Sequence, residues 1–319
     1  MDTPFGHGGV SRKPDARDFK LNEYQTLGST TPIPDIYFSG IQDYDVTHQG
    51  KYGTCGAHAG AHMASFMHSL NLSPKYLWKH IKQIDGIPLD NGTTMRDIFK
   101  ALQNKGDCTL EVMPNDLGAD VYEYSNTDGL TPEVMADGTS RKIGGYAFIT
   151  RPTMTQIKKA IYEYGAVVAL VDIGDGWWTP SWKHEDIMPL KLGNKVGGHF
   201  VVLYGYAKNT IFFRNSWGKD WGEDGDGWFD ESYLPFVREI GTALKEVVPG
   251  GFLFKNDLRL GQRNSDVVEL QKRLGVTPTG FFGTQTLSAV RKYQKAVGVM
   301  ATGFVGSLTR AKLNTEYVQ

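Results

Sequence analysis

The chain has 319 residues, of which 40% are apolar, 22% charged and 12% aromatic, and its formal net charge is −1. That mix excludes a disordered chain, a collagen and a long coiled coil, and the length suits about two domains. The longest strongly apolar run, Ala166 to Val171, is six residues, where a membrane-spanning helix needs about 20. No membrane partner is therefore expected, and nothing points to nucleic acid. No secretory signal is expected from the acidic start Met1-Asp2-Thr3-Pro4, and the localisation stays open. The two cysteines, Cys55 and Cys108, are too few for a disulfide framework and read as thiols, one for chemistry and one for packing.

Residues 1–40 are rich in Gly, Pro and charge, show no sustained period, and read as an arm draped over a body at 41–250. The first sharp feature of the body is Gln49-Gly50-Lys51-Tyr52-Gly53-Thr54-Cys55-Gly56. Ala59, Met63, Phe66, Met67 and Leu70 follow at helical spacing, so Cys55 is placed near a helix N-terminus. Unpaired N–H groups and the helix dipole favour a thiolate there. His58 and His62 share a helix face at a spacing that can hold zinc. The Glu of the metalloprotease pattern is missing, so no metal or other cofactor is expected. Cys108 follows the Gly106 helix stop and reads as a packed thiol.

Farther along, Gly197-Gly198-His199 opens an apolar strand, and Ile211-Phe212-Phe213-Arg214 leads into Asn215-Ser216-Trp217-Gly218. Strands that follow one another in sequence usually pair, which would bring His199 to Asn215. Trp177, Trp178 and Trp182 lie in the loop before His199, either covering the core edge or lining subsites. The acidic stretch Asp220, Glu223, Asp224 and Asp226 lacks the calcium-loop spacing and reads as a solvated turn.

With Gln49 six residues before Cys55, His199 144 after it and Asn215 160 after it, the body resembles a papain-like cysteine peptidase. Trp221-Gly222, Gly227-Trp228-Phe229, Leu72-Ser73-Pro74 and Gly92-Thr93-Thr94 extend the likeness over about Pro14 to Val248. The resemblance implies an α+β fold, with a helical half carrying Cys55 and an antiparallel sheet half carrying His199 and Asn215. It implies Cys55 as nucleophile in a thiolate–imidazolium pair with His199, Asn215 as orienter, and Gln49 as oxyanion donor. Gly92, Gly198 and Trp217 are the implied substrate-binding residues, with protein or peptide as partner. This sequence has Gly56 where relatives carry Trp, and Tyr52 where many carry a disulfide cysteine. The long helical propeptide of secreted relatives does not precede the body. The short arm could cross the cleft and inhibit at most partially.

Val247-Val248-Pro249-Gly250-Gly251 breaks both regular structures and marks a boundary. Beyond it, residues 256–319 hold nine Lys+Arg against four Asp+Glu, a +5 module after a body of −6. That asymmetry points to an anionic polymer. The module repeats with a shift of 23 residues. Each unit is an amphipathic helix stopped by Gly, then Thr-Gly-Phe-x-Gly, with Thr284 or Ser307 as a candidate helix cap. With a closing helix near Ser307–Leu313, an all-α three-helix domain is expected. The repeat resembles the peptidoglycan-binding module of cell-wall hydrolases over about Asp257 to Asn314, although Thr279 and Thr302 replace the usual Asp. Peptidoglycan, through 256–319, is thus a second expected partner.

The expected function is a cysteine endopeptidase tethered to such a module. The alternatives are a hydrolase of peptidoglycan stem peptides, a virion or structural binding protein with a vestigial peptidase body, and a transferase using the same acyl-enzyme.

Overall fold

The computed structural model describes residues 5–13, 15, 21, 33–178, 192–244, 254 and 256–315. The chain divides into two compact units, Met1–Asn22 with Thr31–Lys245 and Glu23–Thr30 with Glu246–Gln319. Trp182 and the 247–251 boundary lie outside the described residues.

The first unit opens with β1 (Gly9–Val10) and β2 (Ile36–Phe38). Its helical half is built around α1 (Cys55–His68), buried from Cys55 through Ser65 on every side. Small residues make that possible. A Cβ on Gly56 would stand 2.6 Å from Thr93 Cγ2, and one on Gly60 would stand 2.6 Å from Ile98 Cγ2 and 2.7 Å from Leu77 Cδ2. Thr93 and Ile98 thereby fill the space that a Trp at position 56 would need. Ser69 ends the helix in the left-handed conformation (φ 55°).

Flanking α1 is α2 (Pro74–Ile81), whose Ser73 cap accepts from Tyr76 N–H. After β3 (Thr93–Thr94) comes α3 (Met95–Lys105), with Thr94 accepting from Asp97 N–H. Such caps satisfy first-turn donors that the helix cannot. The short helices α4 (Val121–Ser125) and α5 (Pro132–Thr139) complete this half.

The other half is an antiparallel sheet of β4 (Gly145–Thr150), β5 (Val167–Gly174), β6 (Lys195–Ala207), β7 (Thr210–Arg214), β8 (Asp226–Asp230) and β9 (Val237–Leu244). The order is β4-β9-β5-β6-β7-β8, with β2 added on β6. Every residue of β5 is buried, Asp172 among its otherwise apolar residues included. Helix α6 (Met154–Tyr164), closed at its start by a Thr153/Gln156 capping box, joins β4 to β5 and packs on the sheet. One core spans both halves: Cys55, Ala57, Met63, Ile98 and Phe99 share it with Val168, Leu170, Phe200 and Val202.

The second unit holds α7 (Ser265–Arg273), α8 (Thr284–Ala296) and α9 (Ser307–Thr315) around Leu258, Val267, Leu270, Phe282, Val290, Val305 and Leu313. Its repeat is visible atom for atom. Gln271 takes Gly280 N–H at 2.8 Å and donates to Thr286 Oγ1 at 2.9 Å; Gln294 takes Gly303 N–H at 2.8 Å and donates to Thr309 Oγ1 at 2.9 Å. One sequence expectation is corrected here. Gly283, not Thr284, is the α8 N-cap, and no side chain caps it.

Candidate active site

Cys55 is the first residue of α1, and the Thr54 N-cap makes no side-chain bond to the first turn. The backbone N–H groups of Cys55 and Gly56 act on the sulfur, joined by those of Phe200 and Gly8. Phe200, whose N–H favours the Cys55 thiolate, follows His199 on β6.

The imidazole is held from behind. His199 Nε2–H donates to Asn215 Oδ1 at 2.8 Å, and the same oxygen accepts Ser216 N–H at 2.8 Å. Two donors on one oxygen fix the amide orientation and put the imidazole proton on Nε2. Nδ1 is then the bare nitrogen, and it is buried with no hydrogen-bond partner. The register Val202↔Arg214 between β6 and β7 sets this meeting, because Asn215 emerges directly from the end of β7. Trp217 lies over the ring at 4.7 Å between centroids, and Trp177 meets it edge-on at 6.0 Å. Trp177 is wholly buried, and Trp178 packs on Trp217 at 5.3 Å.

Gln49 is buried beside this group. Its Oε1 accepts Ser216 Oγ–H at 2.5 Å, which leaves the amide nitrogen as the donor end; that nitrogen reaches Tyr52 O at 2.8 Å. The role of Ser216 was not read from the sequence, although its place between Asn215 and Trp217 in the Asn-Ser-Trp-Gly motif is the available signal.

Burial sets the charge state. It pushes the Cys55 thiol up to about 11, the four N–H groups offsetting only part of this. It holds His199 down to about 3, against the Asn215 bond and with help from His7. In this closed geometry both groups are neutral at neutral pH, because desolvation outweighs helix dipole and hydrogen bonds. The remaining sequence candidates, Gly92 and Gly198, face the arm. A Cβ on Gly92 (φ +78°) would stand 1.7 Å from Gly8 O, and one on Gly198 would stand 2.2 Å from Gly9 O.

One other reading changes. Asp226 is not part of a solvated turn: it is buried and paired with Arg214 (Nε to Oδ1, 2.6 Å). Arg214 Nη1 also donates to Tyr44 O at 2.7 Å, so the pair braces the strand end that presents Asn215. His58 Nδ1 and His62 Nε2 lie 2.6 and 2.9 Å from the Thr47 hydroxyl. Cys108 packs with Tyr76 and Met113.

A helical half that carries Cys55 at a helix start, joined to an antiparallel sheet half that carries the His199–Asn215 pair, is a two-halved α+β architecture. The sequence model described as papain family cysteine protease matches residues 44–232, more than half of the chain, and this protein belongs to that family. A peptidoglycan binding domain model matches residues 263–313. Among curated relatives, Cathepsin B-like CP2 of Giardia intestinalis is 26% identical over 228 residues, covering 65% of this chain and 69% of that protein. KDEL-tailed cysteine endopeptidase CEP2 of Arabidopsis thaliana is 26% identical over 207 residues, covering 61% of this chain and 51% of that protein. Among solved structures, xylellain, a cysteine protease from Xylella fastidiosa, superposes with a TM-score of 0.63 at 22% identity, covering 77% of this chain and 98% of that one.

Proposed function

We propose that this protein hydrolyses peptide bonds through Cys55, His199 and Asn215, with Gln49 as oxyanion donor, and that residues 256–319 hold it on peptidoglycan. In this reading residues 41–250 are the catalytic body and 1–40 the arm. The observation that carries it is the shared Asn215 oxygen, which leaves Nδ1 of His199 free to take the Cys55 proton.

The steps follow from the groups. His199 Nδ1 accepts the Sγ proton, and the thiolate attacks the substrate carbonyl carbon. The oxygen gains charge between the Cys55 N–H and the Gln49 amide nitrogen, one such donor being worth roughly 3–4 kcal/mol. The imidazolium gives its proton to the leaving amine, then activates the water that releases the acyl group. Asn215 keeps the ring plane and tautomer throughout. Gly92 and Gly198 would let a substrate backbone lie close to the cleft floor, and Trp217 would shield the His199–Asn215 bond from water. Tethering through the basic module raises local concentration on the polymer.

Protein is the favoured substrate. Cys55→Ala is expected to abolish hydrolysis of casein and of a fluorogenic peptide, with its melting curve unchanged, and an epoxide inhibitor is expected to label Cys55. Activity on purified sacculi but not on casein would move the substrate to the peptidoglycan stem peptide. Wild-type rates in the alanine variant would overturn the assignment.

A further inference from the structure

No residue of the loop 82–91, which joins α2 to β3, lies in the buried core, and Ile84 is 46% exposed. The loop nevertheless delivers Gly92, Thr93 and Thr94 to the neighbourhood of the proposed nucleophile, with Thr93 Cγ2 standing where a Cβ of Gly56 would be. β3 is a pairing edge there. Thr93 N–H donates to Gly8 O at 3.0 Å, and Thr93 and Thr94 pair in parallel with Gly9 and Val10. A segment with so little apolar packing needs another anchor to hold an edge in place.

The anchor is one ammonium group. Lys82 Nζ donates to Asp85 Oδ2 at 2.8 Å, to Gly92 O at 2.6 Å and to Ile87 O at 3.4 Å, and it lies 4.3 Å over the Trp78 ring. Three donors thus meet three acceptors on the same stretch of chain. Asp85 Oδ1 in turn accepts Ile87 N–H at 3.0 Å. The Lys82 and Asp85 side chains are 3% and 0% exposed, a dry setting in which charge-assisted hydrogen bonds are strong. Farther along, Asp90 Oδ1 accepts Gly53 N–H at 3.0 Å, two residues before Cys55. No disulfide shares the task, because both cysteines are free.

We propose that Lys82 is a positioning residue for substrate: its ammonium, with Asp85 as counter-ion, fixes the Gly92 carbonyl and so sets the register of the Thr93 edge against Cys55. The group suits the place. An ammonium is a compact head that donates in three directions, which a planar guanidinium cannot do. Gly92 has φ +78°, and a Cβ on Gly8 would stand 2.7 Å from its Cα. Gly92 therefore meets the edge's partner through its Cα and Lys82 through its carbonyl. Loss of the ammonium weakens the binding of any peptide long enough to reach Thr93 and leaves bond-breaking at Cys55 unaltered. The effect on turnover rests on the cysteine-peptidase reading, whereas peptide affinity tests Lys82 by itself.

Lys82→Met alone would strand the Asp85 carboxylate, so the test variant is Lys82→Met with Asp85→Asn in the full-length protein. Two substrates are compared: a fluorogenic octapeptide cleaved near its middle, and a single-residue ester too short to reach Thr93. The variant is expected to raise KM for the octapeptide at least about tenfold with kcat within about twofold. For the ester, kcat/KM is expected to stay at the wild-type value. In a Cys55→Ala background, titration calorimetry is expected to show the octapeptide bound at least about tenfold more weakly once the Lys82 and Asp85 changes are added. Unchanged KM and affinity for the octapeptide overturn the proposal. So does an equal loss on both substrates, or loss of the melting transition, since Lys82 would then serve the fold and not the edge. Weakened affinity, in a protein whose wild type hydrolyses neither substrate, upholds Lys82 and removes the peptidase reading.

Discussion

Ser216 donates its hydroxyl to the Gln49 amide oxygen at 2.5 Å, which leaves the nitrogen of that amide as the end that can serve as the proposed oxyanion donor. In the proposed mechanism Ser216 is a positioning residue. Ser216→Ala is expected to lower kcat about tenfold with KM nearly unchanged, since a donor needed only in the transition state is misaimed. Gln49→Ala should cost more, about 10²–10³ in kcat. The double variant should fall no further than Gln49→Ala alone, because both changes act through one donor. Additive losses in steady-state kinetics would give Ser216 a separate role.

Arg214 and Asp226 make a different kind of claim on the same strand end. Burial raises the Asp226 carboxyl above its ordinary value in spite of the guanidinium beside it. Removing one partner leaves the other charge stranded, so Arg214→Met is expected to cost about 3–5 kcal/mol in urea unfolding. Arg214→Met with Asp226→Leu should recover part of that loss. If Arg214→Met alone were neutral, the pair would not be bracing the presentation of Asn215.

The contrast between these residues shows what a sequence can disclose. Cys55 and Asn215 sit in short motifs whose local form, a helix start and a strand end, is visible in the sequence, whereas Gln49, in irregular backbone, and His199, inside β6, are legible only by their spacing to Cys55. The Gln271 and Gln294 repeat is legible for the same reason. Asp226 is not: it lies in a run with Asp220, Glu223 and Asp224 that looks solvated, and its partner is set by the β7–β8 register. The path of Gly6, Gly8 and Gly9 was equally hidden. A glycine-rich arm has no period of its own, and its course is dictated by Gly53, Gly92 and Gly198, far away in sequence. Trp177 could be read two ways because a loop tryptophan serves the core or a subsite equally well; complete burial against His199, Phe213 and Trp221 assigns it to the core.

Acid should weaken the helical half through His58 and His62. Burial, first of all, holds His62 down to about 3 and His58 well below its ordinary value. Above pH ~6.5 both are neutral folded and unfolded, and they contribute no pH dependence. Below it the unfolded chain binds protons that the folded chain refuses, so stability falls as pH drops from ~6.5 toward 3, by up to about 1.4 kcal/mol per unit for each histidine. His62→Leu leaves Thr47 bonded to His58 and should flatten the fall in melting temperature between pH 6.5 and 4.5. An unchanged slope would place the acid lability elsewhere.

The second unit offers the cleanest separation of binding from chemistry. Gln271 and Gln294 are buried amides, each holding the N–H of a turn glycine and a turn carbonyl, Phe281 O at 2.9 Å and Phe304 O at 2.8 Å. Leucine in either place would fill the volume but strand those backbone groups, at about 1–3 kcal/mol for each group left unpaired. So small a core has little stability to spare. Gln271→Leu is therefore expected to unfold this unit at lower temperature and to abolish sedimentation with purified sacculi. Hydrolysis of a small fluorogenic peptide should stay at the wild-type rate. Retained sedimentation by a variant whose second unit has melted would mean that the wall is gripped by some other part of the chain.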